Sequence, residues 1–286
     1  MTDYFVDPIW PKRRLNIIAG ASGAGKSRWI LPQLFALIKG TSVLGKPTTP
    51  TKVSYVCCDR TIEDAQSTMI DLGLNPEILP TFSFMDNNLQ WSMGKVLEMI
   101  PQDTELCFVE AIGALVPGGD INNYSSILKL GRICNLTTKT SGISFMGSTH
   151  APKMKAGEAY ARTRDNVIGS SAWPGIAATI VHISEEEDNS RTVTILLRDG
   201  PTEVQHLEFD AIGKLVPIDA GLGRILMDNW LKGLPSGTDL PTSLIQDQGV
   251  KSKLSPRTVS RWINEKVSDG CLLSVKQGWY KSRSSS

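Results

Sequence analysis

Several things are missing from this chain, and each absence closes off a class of protein. The five cysteines, Cys57, Cys58, Cys107, Cys134 and Cys271, are adjacent or scattered, with no C-x-x-C pair. That pattern fits neither a metal knuckle nor a disulfide framework. Three of them, Cys57, Cys58 and Cys107, lie in apolar strand-like runs, where cysteine acts as a small hydrophobe. No apolar stretch approaches twenty residues and no N-terminal signal pattern is seen, so the expectation is a cytoplasmic protein with no membrane partner. Strong charge of one sign is absent too: 30 Lys+Arg stand against 29 Asp+Glu. The charge is nevertheless uneven. From Gly221 onward there are ten Lys/Arg and five Asp/Glu, about +5, which leaves about −4 for the residues before it. This asymmetry points to a C-terminal segment that meets something acidic. With 41% hydrophobic and 7% aromatic residues in 286, the chain has the make-up of a globular protein with ample core, one large domain or one of ordinary size plus a small one.

One stretch organises the rest. Leu15, Ile17, Ile18 and Ala19 form an apolar run that reads as a buried strand, and it leads into Gly20, Ala21, Ser22, Gly23, Ala24, Gly25, Lys26 and Ser27. This segment matches G-x-x-x-x-G-K-[ST] at every fixed position. Beyond Arg28, residues Trp29, Ile30, Leu34, Phe35, Leu37 and Ile38 recur at helical spacing. Strand, glycine-rich loop and helix together are the context of a P-loop. Glycines let backbone N–H groups converge on phosphate oxygens, and the helix N-terminus favours negative charge. Lys26 is expected to reach the β- and γ-phosphates and Ser27 to hold Mg²⁺, with Gly20 to Arg28 as the ATP-binding stretch.

Further along, strands and helices alternate. Residues 1–14 carry Pro8, Pro11 and a basic Lys12-Arg13-Arg14, and Trp10 there is expected to pack on the core rather than stack on a base. Val53–Cys58 reads as a strand ending at Asp59-Arg60, followed by a helix over Thr61–Leu72 with Thr61 as N-cap. Thr81–Met85 is a further strand and Trp91–Ile100 a helix. Leu106–Val109 is a buried strand ending in Glu110. Tyr124–Thr138 is helical, and Ile143–Thr149 is a strand ending at His150. The alternation predicts an α/β fold, a mostly parallel sheet with helices on both faces. After a polar loop holding Lys153, Lys155, Arg162 and Arg164, the runs Ala177–Ile183, Thr192–Arg198 and Glu203–Phe209 predict an antiparallel meander added at the sheet edge.

The last portion reads as a separate small domain, with boundaries 1–218 and 221–286. Ile225–Leu231 and Leu240–Gly249 suggest two helices. Ser255-Pro256 opens a third with two start signals together. Cys271–Val275 and Gly278–Lys281 suggest a hairpin, and the Ser-rich tail is expected to be disordered. Helix, helix, basic helix, hairpin is a winged helix-turn-helix pattern. In that geometry Arg257, Ser260, Arg261 and Asn264 face a DNA groove, while Val259, Trp262 and Ile263 point to the core.

Acids ending two strands, Asp59 and Glu110, and a polar residue ending a third, His150, give the layout of a RecA-type ATPase. Over roughly residues 8–210 the chain resembles the RecA/DnaB-like core, and more closely the plasmid RepA-type hexameric helicases and related phage ATPases. The resemblance rests on GASGAGKS, on YVCCDR and LCFVEA at strand ends, and on STHAPK followed by GSSAW (Gly169–Trp173). It implies a Mg²⁺-dependent ATPase in which Lys26, Asp59, Glu110, His150 and Arg198 serve catalysis. The family usually has Glu first and Asp second; here the acids are exchanged. The reading assigns Asp59 to activating water and Glu110, with Ser27, to the Mg²⁺ side, though the exchange leaves open which acid does which. His150 matches the family's sensor. Lys153, Lys155, Arg162 and Arg164 fall where such proteins touch single-stranded DNA. Arg198, or Arg191, falls where an arginine finger reaches the neighbouring subunit, which implies a homo-oligomer, a hexamer.

The function these expectations favour is a DNA-dependent ATPase acting as a ring-shaped replicative helicase or translocase. One alternative is an ATP-switched DNA-binding factor without unwinding activity: a recombination mediator, helicase loader or replication regulator. Another is a transcriptional or partition-type regulator whose winged helix reads a specific site.

Overall fold

Short strands buried on both sides and amphipathic helices with one apolar stripe can bury their surfaces only against one another. The computed structural model describes residues 3–87, 91–116, 123–150, 172–186, 189–217, 220–252, 254 and 256–283. The chain falls into two compact units, Met1–Val216 and Pro217–Ser286.

The first unit opens with a small ribbon, β1 (Tyr4–Val6) and β2 (Trp10–Pro11). Trp10 is fully buried and meets the Trp29 ring edge-on with centroids 6.1 Å apart, so it packs on the core and is closed to a base. The strands and helices that follow are β3 (Leu15–Gly20), α1 (Lys26–Lys39), β4 (Val53–Cys57), α2 (Ile62–Asp71), β5 (Thr81–Ser83), α3 (Phe84–Asn87), α4 (Met93–Met99), β6 (Leu106–Glu110), α5 (Tyr124–Ser141), β7 (Ser144–His150), α6 (Trp173–Ile176), β8 (Thr179–Glu185), β9 (Arg191–Leu197), β10 (Glu203–Phe209) and β11 (Leu215–Pro217). The large sheet runs β11-β10-β9-β8-β3-β7-β6-β4-β5. From β5 to β8 each strand is parallel to its neighbours, while β9 and β10 are antiparallel additions. It is an α/β fold built on a large mixed sheet.

Successive residues of each strand feed opposite cores. Ile18, Tyr55, Cys57 and Phe108 pack with α1 and α2 on one face; Ile17, Ala19, Val56, Cys58 and Val109 pack with α4, α5 and α6 on the other. Every residue of β3 is therefore buried.

The structure moves several expected boundaries. The strand from Thr81 stops at Ser83, because the Ser83 hydroxyl accepts from Met85 and Asp86 N–H and turns the chain into α3. The next helix begins at Met93, where Ser92 caps Lys95 N–H. Helix α5 runs a further turn to Ser141 and closes on left-handed Gly142. The meander is not wholly an edge addition. Its first strand, β8, lies parallel beside β3, in register Gly20 with Ile183.

In the second unit, α7 (Ala220–Lys232), α8 (Thr242–Lys251) and α9 (Pro256–Ser268) accompany a sheet of β12 (Asp239–Pro241), β13 (Leu272–Lys276) and β14 (Trp279–Ser282), ordered β12-β14-β13. Its core gathers Met227, Leu231, Leu240, Ile245, Val259, Trp262, Ile263 and Leu272. The Trp262 indole donates to Asp228 Oδ1 at 2.7 Å, and Lys266 pairs with the same oxygen at 3.0 Å.

Candidate active site

Strand β3 delivers the glycine-rich loop at its C-terminal end, and α1 begins at Lys26 directly after it. Two positions show why glycine is needed. Gly25 has φ 95°, in the left-handed region, and a Cβ on Gly20 would lie 2.7 Å from the Ile183 carbonyl of β8. Lys26 Nζ donates to the Gly20 and Ala21 carbonyls at 2.8 and 2.9 Å, which lays the ammonium across the loop. Burial lowers the Lys26 pKa, against the opposing pull of Glu110 and Asp59. From beneath, Arg191 Nε donates to the Ala24 carbonyl at 3.1 Å.

Parallel pairing sets the acids next to this loop. Glu110 ends β6, in register with Cys57 of β4, and is buried. Its Oε1 accepts from Ser27 Oγ at 2.5 Å, and its Oε2 accepts from the buried Tyr55 hydroxyl. Arg60 Nε lies 2.5 Å from the same Oε2, as an ion pair rather than an aligned hydrogen bond. Burial, then Glu110, pushes the Tyr55 phenol well above its usual range, and the same two causes lift the Cys57 thiol to about 12. Asp59, two residues past the end of β4, is exposed at the cleft mouth. The walls of the cleft and the Glu110 charge raise its pKa, opposed by Arg60, its own backbone and His150. His150 ends β7 in register with Gly20, and the Ser148 hydroxyl accepts from Ala111 N–H at 3.0 Å.

These groups line one cleft of about 350 Å³: Ser22, Gly23, Gly25, Lys26, Ser27, Arg28, Asp59, Glu110 and His150 are all on its wall. Ala21 adjoins it, and Ala24 is buried beneath. Arg28 turns aside to donate to the Gly213 carbonyl at 3.0 Å. Also on the wall, and passed over in the sequence, are Arg60, Thr68 and Phe209. Phe209 bears on Gly25 and carries the Arg191 guanidinium 4.9 Å over its ring.

Arg198 is not brought to this cleft within the chain. Its N–H pairs with the Ala178 carbonyl and its guanidinium donates to Gly175 O, while Ala178 N–H pairs with Leu15 O at the far end of β3. The full length of β3, roughly 17 Å, separates that end from the loop. Arg191, the other arginine considered, is buried and held by Ala24 and Glu185 of its own chain. Lys153, Lys155, Arg162 and Arg164 lie outside the described residues. Arg261 is exposed on α9, as are Ser260 and Asn264; Arg257 belongs to α9, but its side chain lies outside the described set. Among the described residues, no group of three or more His, Cys, Asp or Glu side chains stands ready to hold a metal, and no helix is long and apolar enough to cross a membrane.

No family model and no curated protein matches the sequence. Among solved structures, a KaiC-like protein from the hyperthermophilic archaeon Pyrococcus horikoshii is similar, with a TM-score of 0.50 and 18% identity over 74% of this chain and 94% of that one. The likeness is one of fold. It agrees with an α/β fold built on a large mixed sheet, in which the order β3-β7-β6-β4 brings the loop, His150, Glu110 and Asp59 to one end of neighbouring strands.

Proposed function

We propose that this cleft binds and hydrolyses ATP with Mg²⁺, and that the chain is a DNA-dependent ATPase working as an oligomeric ring helicase or translocase. The observation that carries the nucleotide reading is the meeting of Ser27 and Glu110 beside Lys26 and Asp59 at the C-terminal ends of parallel strands. Nothing in the sequence spacing alone requires that meeting. Ser27 Oγ and Glu110 Oε1, which meet at 2.5 Å, are the oxygens that would hold Mg²⁺. The bound ion supplies charge neutralisation at the β- and γ-phosphates.

The chain's own groups do the rest. Lys26, held at the loop, exchanges its carbonyl acceptors for phosphate oxygens. Asp59 takes the proton of the attacking water; its raised pKa makes it a stronger base than a free aspartate. His150 links the cleft to the segment carrying Lys153, Lys155, Arg162 and Arg164, the groups assigned to single-stranded DNA phosphates. In the second unit, α9 with Arg257 and Arg261 serves as the recognition helix of a winged domain, supported by the basic excess of that segment. Arg198, exposed and far from its own loop, acts in trans on a neighbour's cleft, which calls for a ring, and a hexamer is the form assigned.

Steady-state ATP hydrolysis with and without single-stranded DNA tests this, with Lys26→Ala as the blank. Strong stimulation by DNA, reduced about a hundredfold or more in the blank, is the expected result. Slow hydrolysis indifferent to DNA sinks the motor and leaves an ATP-switched DNA-binding factor.

A further inference from the structure

Arg60 follows Asp59 past the end of β4, and each nitrogen of its guanidinium meets a different oxygen. Besides the Nε contact with Glu110 Oε2, one terminal nitrogen donates to the Tyr55 hydroxyl at 2.5 Å and the other to Thr68 Oγ1 at 2.9 Å. Tyr55 in turn donates to Glu110 Oε2. Arginine, phenol and carboxylate therefore close a ring around a single oxygen, anchored from α2 by Thr68. Glu110 Oε1 meets Ser27. The two oxygens of one carboxylate thus have unlike surroundings, a guanidinium and a phenol on one and a lone hydroxyl on the other.

The asymmetry has a physical reason. A glutamate has one more rotatable bond than an aspartate, and its terminal torsion is broad, so left alone it would present either oxygen in many orientations. A planar guanidinium with a fixed fork removes that freedom, which an ammonium on a flexible stem does not. With its terminal nitrogens donating to Tyr55 and Thr68 and its Nε ion-paired with Glu110, Arg60 is held against its own chain and is poorly placed to serve as a finger on phosphate. Removing it to that role would also leave a buried carboxylate with neutral partners only, at considerable cost.

We propose that Arg60 is a positioning residue for Glu110: braced by Tyr55 and Thr68, it holds Oε2 so that Oε1 alone is presented to Ser27 and to the Mg²⁺ held there. This rests on the nucleotide reading above. It also accounts for how this chain uses glutamate at the end of β6.

The test combines nucleotide binding with turnover in Arg60→Gln, Arg60→Lys and Tyr55→Phe. Binding of the fluorescent nucleotide mant-ADP is titrated in EDTA and against rising Mg²⁺, and kcat and KM for ATP are measured separately. For Arg60→Gln the expected outcome is EDTA binding within about twofold of wild type and a Mg²⁺ half-point raised about tenfold. With it, kcat falls about a hundredfold while KM changes less than about threefold, the cost of a misplaced group rather than of lost binding. Arg60→Lys recovers less than about a tenth of the lost kcat, because charge without the fork does not orient the carboxylate. Tyr55→Phe shifts the Mg²⁺ half-point in the same direction by a few-fold, and it carries the test if Arg60→Gln does not fold. An unchanged Mg²⁺ half-point in the folded variants overturns the proposal. So does equal weakening with and without Mg²⁺, which marks a purely structural role, and so does full rescue by lysine, which marks a purely electrostatic one. Wild-type protein that binds no mant-ADP overturns the nucleotide reading itself, and this proposal with it; wild-type binding that does not respond to Mg²⁺ overturns this proposal alone.

Discussion

Asp59 and Glu110 are both carboxylates at strand ends, yet they live in different surroundings. Glu110 is buried with a cation and two hydroxyls around it; Asp59 is exposed at the mouth, with a pKa raised by desolvation and by Glu110. That division supports giving the proton-accepting role to Asp59. Asp59→Asn is expected to keep nucleotide binding and lower hydrolysis about a hundredfold to ten-thousandfold. The same variant makes a statement about stability. The unfolded chain releases this proton more readily than the folded one, so ionised Asp59 penalises the native state above its raised pKa and not below the ordinary value of 3.8. Asp59→Asn should accordingly raise Tm near neutral pH, with the gain shrinking as pH falls towards the ordinary carboxylate range. Thermal melts over that pH span check it; a gain that grows on acidification contradicts the assignment.

At the scale of elements, two helical glycines respond to alanine in opposite directions. Gly131 in α5 faces α6, and a Cβ there would lie 2.3 Å from Ile176 Cδ1 and 2.7 Å from its Cβ, so the whole side chain would have to move. Overpacking of this kind costs about 1–3 kcal/mol, against about 1 kcal/mol gained in helix propensity. Gly131→Ala is expected to lower stability. Gly94 in the first turn of α4 is exposed, with the nearest atom 3.8 Å from a built Cβ, so Gly94→Ala should stabilise by up to about 1 kcal/mol. Denaturant midpoints of the two variants should move in opposite directions. Elements with strong local signals, such as α2 with its Thr61 cap on Asp64 N–H, were legible in the sequence. The short strands β1, β2 and β12 carry two or three residues each, too few for a period to register, and exist through the partners they pair with.

For the whole molecule, the placement of Arg198 decides what kind of experiment is informative. In its own chain it sits at the end of the sheet opposite the glycine-rich loop, so a catalytic part for it requires a second subunit. Mixing Arg198→Ala with Lys26→Ala protein is expected to restore part of the hydrolysis that neither variant has alone, since mixed interfaces can pair an intact loop with an intact arginine. Activity that stays at the level of the separate variants argues against a shared site. Arg191 makes a useful contrast. Buried beneath Ala24 and paired with Glu185, it braces the loop in cis.

The glycine-rich loop, its flanking strand and helix, and the strand-end positions of Asp59, Glu110 and His150 all followed from the sequence alone, because each depends on spacing within a few residues. The position of Arg60 beside Asp59 was equally visible, but its role was not. Tyr55 and Glu110 are 55 residues apart and Ser27 and Glu110 are 83 apart; only the order β3-β7-β6-β4 brings them into one network. The same holds for Arg191 under Ala24, for Arg198 at the far end, and for β8 lying parallel beside β3 rather than at the edge. Hydrophobic period dictates what an element is and which face it buries. Which strand lies next to which is decided by packing of the whole sheet between its helices, and the chemistry at the strand ends is set by that neighbourhood.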